Sequence, residues 1–196
     1  MGTERSDEDL MLAYGHGDLR AFETIYNRHK GALYRYLLRH CGKADVAEEL
    51  FQDIWTNLIR ARSRYRVRAK FTTYLFRLAH NRVIDYYRRQ AHNPIRMDGR
   101  SNPYGGEDGF ELEDLPEADY APIEDRLHSK RLAARLLQLI EKLPPPQREA
   151  FLLREETGLS LEEIAEVTGV NAETAKSRLR YAVAKLRDGL NEEAGE

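Results

Sequence analysis

The stretch "LSLEEIAEVTGVNAETAKSRLRYAVAKLR", residues 159–187, carries the end signals of two helices joined by a short turn. Ser160 followed by Glu163 has the pattern of a capping box, and Gly169 suits the left-handed position that ends a helix. Asn171 is a favoured N-cap for a second helix. The sequence therefore predicts a helix-turn-helix unit, whose second helix would place its first residues in the major groove of DNA.

The second helix of this unit is predicted to have two different faces. Its apolar residues recur at helical spacing and would pack on the first helix: Ala175, Leu179, Ala182 and Leu186. The opposite face carries Glu173, Lys176, Ser177, Arg180 and Tyr181. Lysine and arginine can donate to guanine acceptors in the major groove, and serine can pair with either partner. An ordinary helical hairpin with a solvated face is the alternative, and the motif alone does not define a function.

Length and composition limit the class of protein. A chain of 196 residues has room for one medium domain or two small ones, and its 33% of charged residues exceeds the roughly 25% typical of soluble domains. The single cysteine, Cys41, excludes an internal disulfide and fits a reducing compartment. The first residues lack the apolar core of a signal peptide, and no run approaches the ~20 apolar residues that span a bilayer. A cytoplasmic protein without membrane insertion is expected.

The pattern is helical nearly throughout, and no stretch alternates like a strand. Helices are predicted over residues 46–60 and 70–89, and residues 21–42 read as one helix or a helix pair. A helix resumes near Ile123, and after the break at residues 144–146 another should end at Gly158, with Pro146 in its first turn. The predicted fold class is all-α.

Two small helical domains are expected, because the helical pattern is interrupted by a segment of different composition. Residues 91–122 gather prolines, glycines and carboxylates, which is typical of a flexible linker. The predicted organisation is therefore a helical bundle at 1–90, an acidic linker at 91–122 and a helix-turn-helix domain at 123–196.

Basic and aromatic residues are interleaved along residues 60–89. Residues 60–89 hold ten basic residues and one acid, Asp85, with six tyrosines and phenylalanines between them. Cationic side chains bind the phosphates along a strand, and each unstacked base that stacks on an aromatic ring contributes ~1–3 kcal/mol. This composition favours single-stranded or melting DNA, although several of the aromatic residues must form core.

An acidic face lies on the helix predicted at residues 46–60. It is formed by Glu48, Glu49, Gln52 and Asp53. Such a face would repel phosphate, so it is better explained as a docking surface for a protein, where charge complementarity sets register and association rate. A solvated helix face is the alternative.

Three segments, in this order, resemble the sigma-70 family of bacterial RNA polymerase initiation factors, and among them the small extracytoplasmic-function (ECF) group. "ADVAEELFQDIWTNLIRARSRY" is similar to region 2.2, "FTTYLFRLAHNRVIDYYRR" to regions 2.3 and 2.4, and "LPPPQREAFLLREETGLSLEEIAEVTGVNAETAKSRLRYAVAKLR" to region 4. The resemblance covers roughly residues 8–90 and 123–190. It implies a sigma factor that docks on core polymerase, recognises minus-35 and minus-10 promoter elements and starts transcription of a stress or envelope regulon.

The resemblance also implies roles for particular residues. The face formed by Glu48, Glu49, Gln52 and Asp53 would meet the clamp helices of the polymerase largest subunit. The minus-10 element would be held by Arg62, Tyr65, Arg66, Lys70, Tyr74, Arg77 and Asn81, with a flipped base in the pocket of the loop at 62–70. The minus-35 element would be read by Glu173, Lys176, Ser177, Arg178, Arg180 and Tyr181, with Arg178 touching phosphate or bracing the motif. The linker would thread the polymerase channel near the RNA exit path, and an anti-sigma factor is expected as a further partner.

No enzymatic function is indicated. The six histidines are scattered, Cys41 lacks partners at metal-ligand spacing, and no phosphate-binding glycine loop is present. No cofactor or metal is therefore expected. Two rivals to an initiation factor are a dimeric helix-turn-helix repressor, which would bind duplex without polymerase, and an anti-activator that binds polymerase alone. The basic second helix disfavours the anti-activator.

Overall fold

The computed structural model describes residues 5–91 and 123–191, and within these stretches the chain is all-α, as predicted. The helices are α1 (Asp7–Gly15), α2 (Leu19–Cys41), α3 (Ala44–Ala61), α4 (Phe71–Ala91), α5 (Ile123–Lys142), α6 (Pro145–Thr157), α7 (Leu161–Thr168) and α8 (Ala172–Asn191), with a 3₁₀ turn at Arg62–Arg64. The predicted acidic linker lies outside the described residues except for its first residue, Ala91.

The helix ends in the C-terminal half follow the predicted local signals. Helix α6 begins at the proline run and ends at Gly158, whose φ of 68° is left-handed. The Ser160 side chain accepts from the Glu163 N–H at 3.2 Å, and Glu163 accepts from the Ser160 N–H at 2.8 Å, which completes the capping box of α7. Asn171 caps α8 by accepting from the Thr174 N–H at 2.7 Å. The helix-turn-helix prediction is confirmed.

Helices α1 to α4 form an N-terminal unit around an aromatic-rich core. Residues 21–42 form the single helix α2, which ends at the left-handed Gly42. Two of the aromatic residues in the basic stretch, Phe71 and Phe76, are fully buried and serve this core rather than any surface. Tyr65 is also largely buried, so the aromatic side chains of the stretch with more exposed surface are Tyr74, Tyr86 and Tyr87.

Helix α1 was not predicted from the sequence. Its N-cap is Ser6, and its buried residues are Leu10, Met11 and Tyr14. The Glu8 carboxylate of α1 accepts a hydrogen bond of 2.6 Å from the Phe71 N–H, at the first residue of α4. A negative charge there is favourable because the first N–H groups of a helix have no partner within it. Helix α1 thus fixes the start of α4, which borders the predicted pocket.

Helices α5 to α8 form a C-terminal unit in which α8 packs against α6, α7 and α5. The apolar side of α8 faces the core as predicted, because Ala175, Ala182 and Leu186 are buried. Helix α5 packs closely on α8 at Gly189, where an added Cβ would lie 2.5 Å from Cδ2 of Leu139. A glycine in a helix interior is ordinarily destabilising. Here it lets the two helices pack closely, because it has no Cβ.

The packing of α5 on α8 predicts an unusual response to Gly189→Ala. In an exposed helix this change stabilises by about 1 kcal/mol, whereas here crowding against Leu139 costs about 1–3 kcal/mol. We expect the free energy of unfolding, measured with urea, to fall by about 1 kcal/mol. In a Leu139→Ala background the same change should raise it by a similar amount. An equal effect in both backgrounds would mean that the two helices do not pack in this way.

Candidate nucleic-acid interface

A basic cavity lies between the end of α3 and the start of α4. Its volume is about 480 Å³, and it is lined by Ala61, Arg64, Tyr65, Arg66, Arg68, Ala69, Tyr74, Arg77 and Glu166. Four guanidinium groups thus surround two tyrosine rings. This arrangement can bind a phosphate and an unstacked base together, because arginine recognises the phosphate and an aromatic ring offers a stacking face.

The structure brings four of the seven predicted minus-10 residues together in this cavity: Tyr65, Arg66, Tyr74 and Arg77. The other three lie elsewhere. The Arg62 guanidinium lies 5.8 Å from the centre of the Tyr14 ring, on the side of α1. Lys70 pairs with Glu163 of α7, and Asn81 is exposed further along α4. Arg64 and Arg68 line the cavity in addition, and the density of arginines in the loop was the signal that could have identified them.

The two tyrosines differ in what they can offer a base. Tyr65 is only 7% exposed, and its ring centre lies 5.4 Å from that of Tyr74 in an edge-to-face contact. Burial raises the pKa of Tyr65 to about 12. Burial also raises the pKa of Tyr74, although the charge of Arg77 opposes the shift. Both phenols stay neutral at physiological pH, so the positive charge of the cavity is not reduced by them. The half-buried Tyr74 is the better stacking surface.

The predicted reading face of α8 is open to solvent. Glu173, Lys176, Arg180 and Tyr181 are exposed, while Ser177 is partly buried. The Lys176 ammonium lies 3.7 Å from the Glu173 carboxylate, and the Arg180 guanidinium lies 5.1 Å from the centre of the Tyr181 ring. Both contacts join residues within one turn of the same exposed helix, so they can rearrange when DNA binds. The face is therefore available for a major groove.

Arg178 is set apart from this face. It lines a second cavity, of about 260 Å³, between the two units. The other lining residues are His40, His80, Val83, Ile84, Tyr87, Pro145, Pro146, Glu149 and Thr168. In this arrangement Arg178 faces the junction of the units rather than solvent beside Lys176 and Arg180.

A buried carboxylate, that of Glu149, joins the two units beside the second cavity. One of its oxygens accepts from the Tyr36 hydroxyl at 2.9 Å and lies 2.5 Å from Nδ1 of His80. Burial favours the neutral acid, but the hydrogen bonds with His80 and Tyr36 outweigh it and hold the pKa of Glu149 below its usual range. Burial lowers the pKa of His40 to about 4, so this imidazole is neutral in the folded chain.

The predicted acidic docking face lies on the outer side of α3. Glu48, Glu49 and Gln52 are exposed, and the Gln52 amide donates to the Glu48 carboxylate at 3.4 Å. Asp53 differs, since its carboxylate lies 3.0 Å from the Arg82 guanidinium of α4. Glu48 and Glu49 are thus the carboxylates of this face with the most freedom to meet a partner.

Neither a metal centre nor a membrane span is found in the described parts of the chain. Residues 5–91 and 123–191 contain no cluster of His, Cys, Asp and Glu able to hold a metal ion. None of the helices in these stretches is long and apolar enough to cross a membrane.

The fold and these surfaces define an all-helical DNA-binding protein built from a basic-pocket bundle and a helix-turn-helix unit. Comparison with known proteins gives the family. The Sigma-70 region 2 family matches residues 25–93, and the Sigma-70, region 4 family matches residues 133–186. The chain belongs to the ECF group of the sigma-70 family, RNA polymerase sigma factors that bind core polymerase and promoter DNA.

Two relatives match over nearly the whole chain. The ECF RNA polymerase sigma factor SigE of Mycolicibacterium smegmatis is 31% identical, over 99% of this chain and 73% of its own length. The RNA polymerase sigma factor CarQ of Myxococcus xanthus is 30% identical, over 93% of this chain and 96% of its own.

Two solved structures share the fold. CnrH in complex with the cytosolic domain of CnrY has a TM-score of 0.64 at 22% identity, covering 96% of this chain and 99% of that one. RpoE of Bartonella quintana in complex with the anti-sigma factor NepR has a TM-score of 0.67 at 21% identity, covering 88% and 98%. At this level of identity the similarity establishes the fold.

Two buried groups, His40 and Glu149, predict a loss of stability in mild acid. Between the ordinary histidine pKa of 6.5 and the folded value of about 4, only the unfolded chain binds the His40 proton, so the free energy of unfolding falls as pH falls. The loss should reach about 2 kcal/mol at pH 5. Glu149, with its lowered pKa, adds a loss of the same sign below about pH 4.5. Urea unfolding of His40→Leu should show a shallower pH dependence between pH 6.5 and 5, and an unchanged slope would contradict the assignment.

Proposed function

We propose that this sigma factor recognises two promoter elements with two separate surfaces. The cavity around Tyr74 and Arg66 receives an unstacked base and the phosphates of the minus-10 element. The exposed face of α8 reads the minus-35 element in duplex form, through Lys176, Ser177, Arg180, Tyr181 and Glu173. Arg178 acts at the junction of the units and braces the helix-turn-helix motif, in keeping with its place in the second cavity.

The observation that carries this proposal is the difference between the two surfaces. The cavity has a tyrosine wall and four guanidinium groups, a combination suited to single strands. The face of α8 is convex, polar and helical, which suits a major groove. A dimeric repressor needs only the second kind of surface, and an anti-activator needs neither. Family membership also favours the initiation factor over both rivals.

The acidic face of α3 is the proposed contact with the clamp helices of the polymerase largest subunit. Glu48, Glu49 and Gln52 are exposed in one patch, and Asp53 adds charge at its edge while paired with Arg82. Charges at the rim of an interface mainly set the association rate and exclude wrong partners. Polymerase would therefore bind the acidic face of α3, at a distance from the basic cavity.

Several further features complete the proposal. Residues 1–90 and 123–196 act as the two functional domains, and the acidic segment at 91–122 threads the polymerase channel between them. The protein works in the cytoplasm on a stress or envelope regulon. An anti-sigma factor is proposed as a regulator, supported by the complexes of the two structural neighbours, one of which contains the anti-sigma factor NepR and the other the CnrY cytosolic domain.

Charge reversal on α3 tests docking. Glu49→Lys should weaken binding to core polymerase by about tenfold, or about 1.4 kcal/mol, since the reversal replaces an attraction at the rim with a repulsion. Glu23→Lys, which makes the same charge change at an exposed position of α2, is the matched control. Affinity is measured by titration of labelled protein with core polymerase, and helicity by circular dichroism. Equal affinities for the two variants would remove the docking role of α3.

Alanine substitution on α8 tests duplex reading. Lys176→Ala should lose ~1–3 kcal/mol of binding at a matched minus-35 site and relax the preference at one base position. Lys185→Ala, at an exposed position further along α8, is the control. The holoenzyme of each variant is measured on a promoter library randomised at the minus-35 element. A loss spread evenly over all sequences would show a phosphate contact without base reading.

A further inference from the structure

We infer that helix α1 positions the basic cavity for base selection, through Glu8 at one end of the helix and Gly15 at the other, without touching DNA. The inference rests on the proposed use of that cavity for an unstacked base of the minus-10 element. Both residues are partly buried, and neither is among the residues that line the cavity. They therefore act through the residues that they contact.

The start of α4 depends on Glu8 because the chain just before α4 offers no cap. The first N–H groups of a helix have no partner within it and are commonly satisfied by a side-chain oxygen at the preceding position. Residues 66–70 read RVRAK, in which no side chain carries an oxygen. The Glu8 carboxylate supplies the missing acceptor from 63 positions away, at 2.6 Å from the Phe71 nitrogen. Helix α1 thus determines where α4 begins.

Phe71 transmits this position to both tyrosines of the cavity. Its ring centre lies 6.4 Å from that of Tyr65 and 6.4 Å from that of Tyr74. The Tyr65 hydroxyl is buried and has no hydrogen-bond partner among the described residues, so its ring is located by packing. Burial raises the pKa of Tyr65 to about 12, and the nearby charge of Glu8 adds to the shift. A displacement of Phe71 therefore moves the aromatic wall against which a base would stack.

Helix α1 also contacts the other end of the loop at 62–70. A Cβ added to Gly15 would lie 3.0 Å from the Arg62 carbonyl oxygen, so the last turn of α1 lies directly against the start of the loop. The Arg62 guanidinium lies near the Tyr14 ring of the same turn. Between Glu8 and Gly15 a helix rises about 10 Å. One rigid helix thus holds both ends of the loop, and this limits the conformations that the loop can adopt.

Helix α1 is itself anchored to α2. The Asp7 carboxylate lies 2.6 Å from the Arg28 guanidinium and 2.6 Å from Nε2 of His29. Because these contacts and the buried side of α1 fix the helix on the bundle, α1 cannot follow a movement of the loop. The loop and the start of α4 are therefore positioned by α1, and not the reverse.

A positioning role has a signature that general destabilisation lacks. Selection of one base requires that the binding groups are held within about 0.5 Å of the productive geometry. Phosphate contacts carry no sequence information, because every nucleotide presents the same group. Loss of the Glu8 contact should therefore lower the discrimination between bases while binding of the backbone persists.

The experiment uses the full chain in complex with core polymerase. A promoter library randomised in the minus-10 element first identifies the position at which the unsubstituted protein has its strongest base preference. Discrimination is then the ratio of dissociation constants for two single-stranded DNA 12-mers, with the least and the most favoured base at that position. Both constants are measured by fluorescence anisotropy. A third 12-mer, abasic at that position, reports binding of the backbone alone.

Glu8→Ala should lower this ratio about threefold to tenfold, as expected for the loss of one hydrogen bond, and leave binding of the abasic strand within about twofold. Glu8→Gln keeps an oxygen for the Phe71 N–H and should retain most of the ratio. Asp9→Ala, which removes an exposed carboxylate from the same turn of α1, is the matched control. Equal ratios in Glu8→Ala and Asp9→Ala would overturn the inference, and so would an equal loss of binding for all three strands.

Gly15→Ala tests the loop contact in a variant that keeps α1 stable. Alanine is the better helix former, yet its methyl group must displace the Arg62 carbonyl by a few tenths of an ångström. The ratio should therefore fall about twofold or more, with no loss of stability in urea. Gly31→Ala in α2 is the matched control, because its methyl group meets only the flexible end of the Arg35 side chain. A ratio in Gly15→Ala equal to that of this control would overturn the inference.

Tyr74→Leu separates the inference from the proposed function. This change removes the stacking wall and should abolish most of the discrimination if the cavity holds a base. If Tyr74→Leu and the unsubstituted chain discriminate equally, the cavity is not the base site, and the inference is overturned along with the proposed function. If Tyr74→Leu loses discrimination while Glu8→Ala and Gly15→Ala keep it, the base site stands and only the role of α1 is refuted.

Discussion

The buried carboxylate of Glu149 is the constraint on which the arrangement of the two units depends. An unpaired charge in a protein interior is strongly unfavourable, and removing one partner of a buried pair commonly costs 3–5 kcal/mol. Glu149 is satisfied only while α6 lies against both Tyr36 of α2 and His80 of α4. This requirement selects one orientation of α6, and because a three-residue connection joins α6 to α7, it also determines where α7 meets the bundle.

The net charge of −2 conceals surfaces of strong and opposite sign. Acid is concentrated on α3 and α7, and base on the loop before α4 and on α4 itself. An isolated basic cavity of this kind would attract any polyanion in the cell. Two of these cations, Lys70 and Arg77, pair with Glu163 and Glu166 of α7.

Local features were predictable from the sequence, and long-range features were not. The capping box of Ser160 and Glu163 and the terminating Gly158 follow from residues within a few positions of each other, so the helix-turn-helix unit was predicted almost residue by residue. The cavity was predicted in part, because an arginine-rich loop can point its side chains in several directions and Arg62 points toward Tyr14. The pairing of Glu166 with Arg77 joins residues 89 positions apart, which no local pattern encodes. Helix α1 was missed although Ser6 and Asp9 gave a usable start signal.

Glu163 divides its two carboxylate oxygens between different tasks. One oxygen accepts from the Ser160 N–H within α7, while the other faces Lys70 across the junction. The two contacts use different atoms, so loss of the Lys70 contact leaves the start of α7 intact. The helix-turn-helix unit therefore keeps its shape whatever contact its outer side makes.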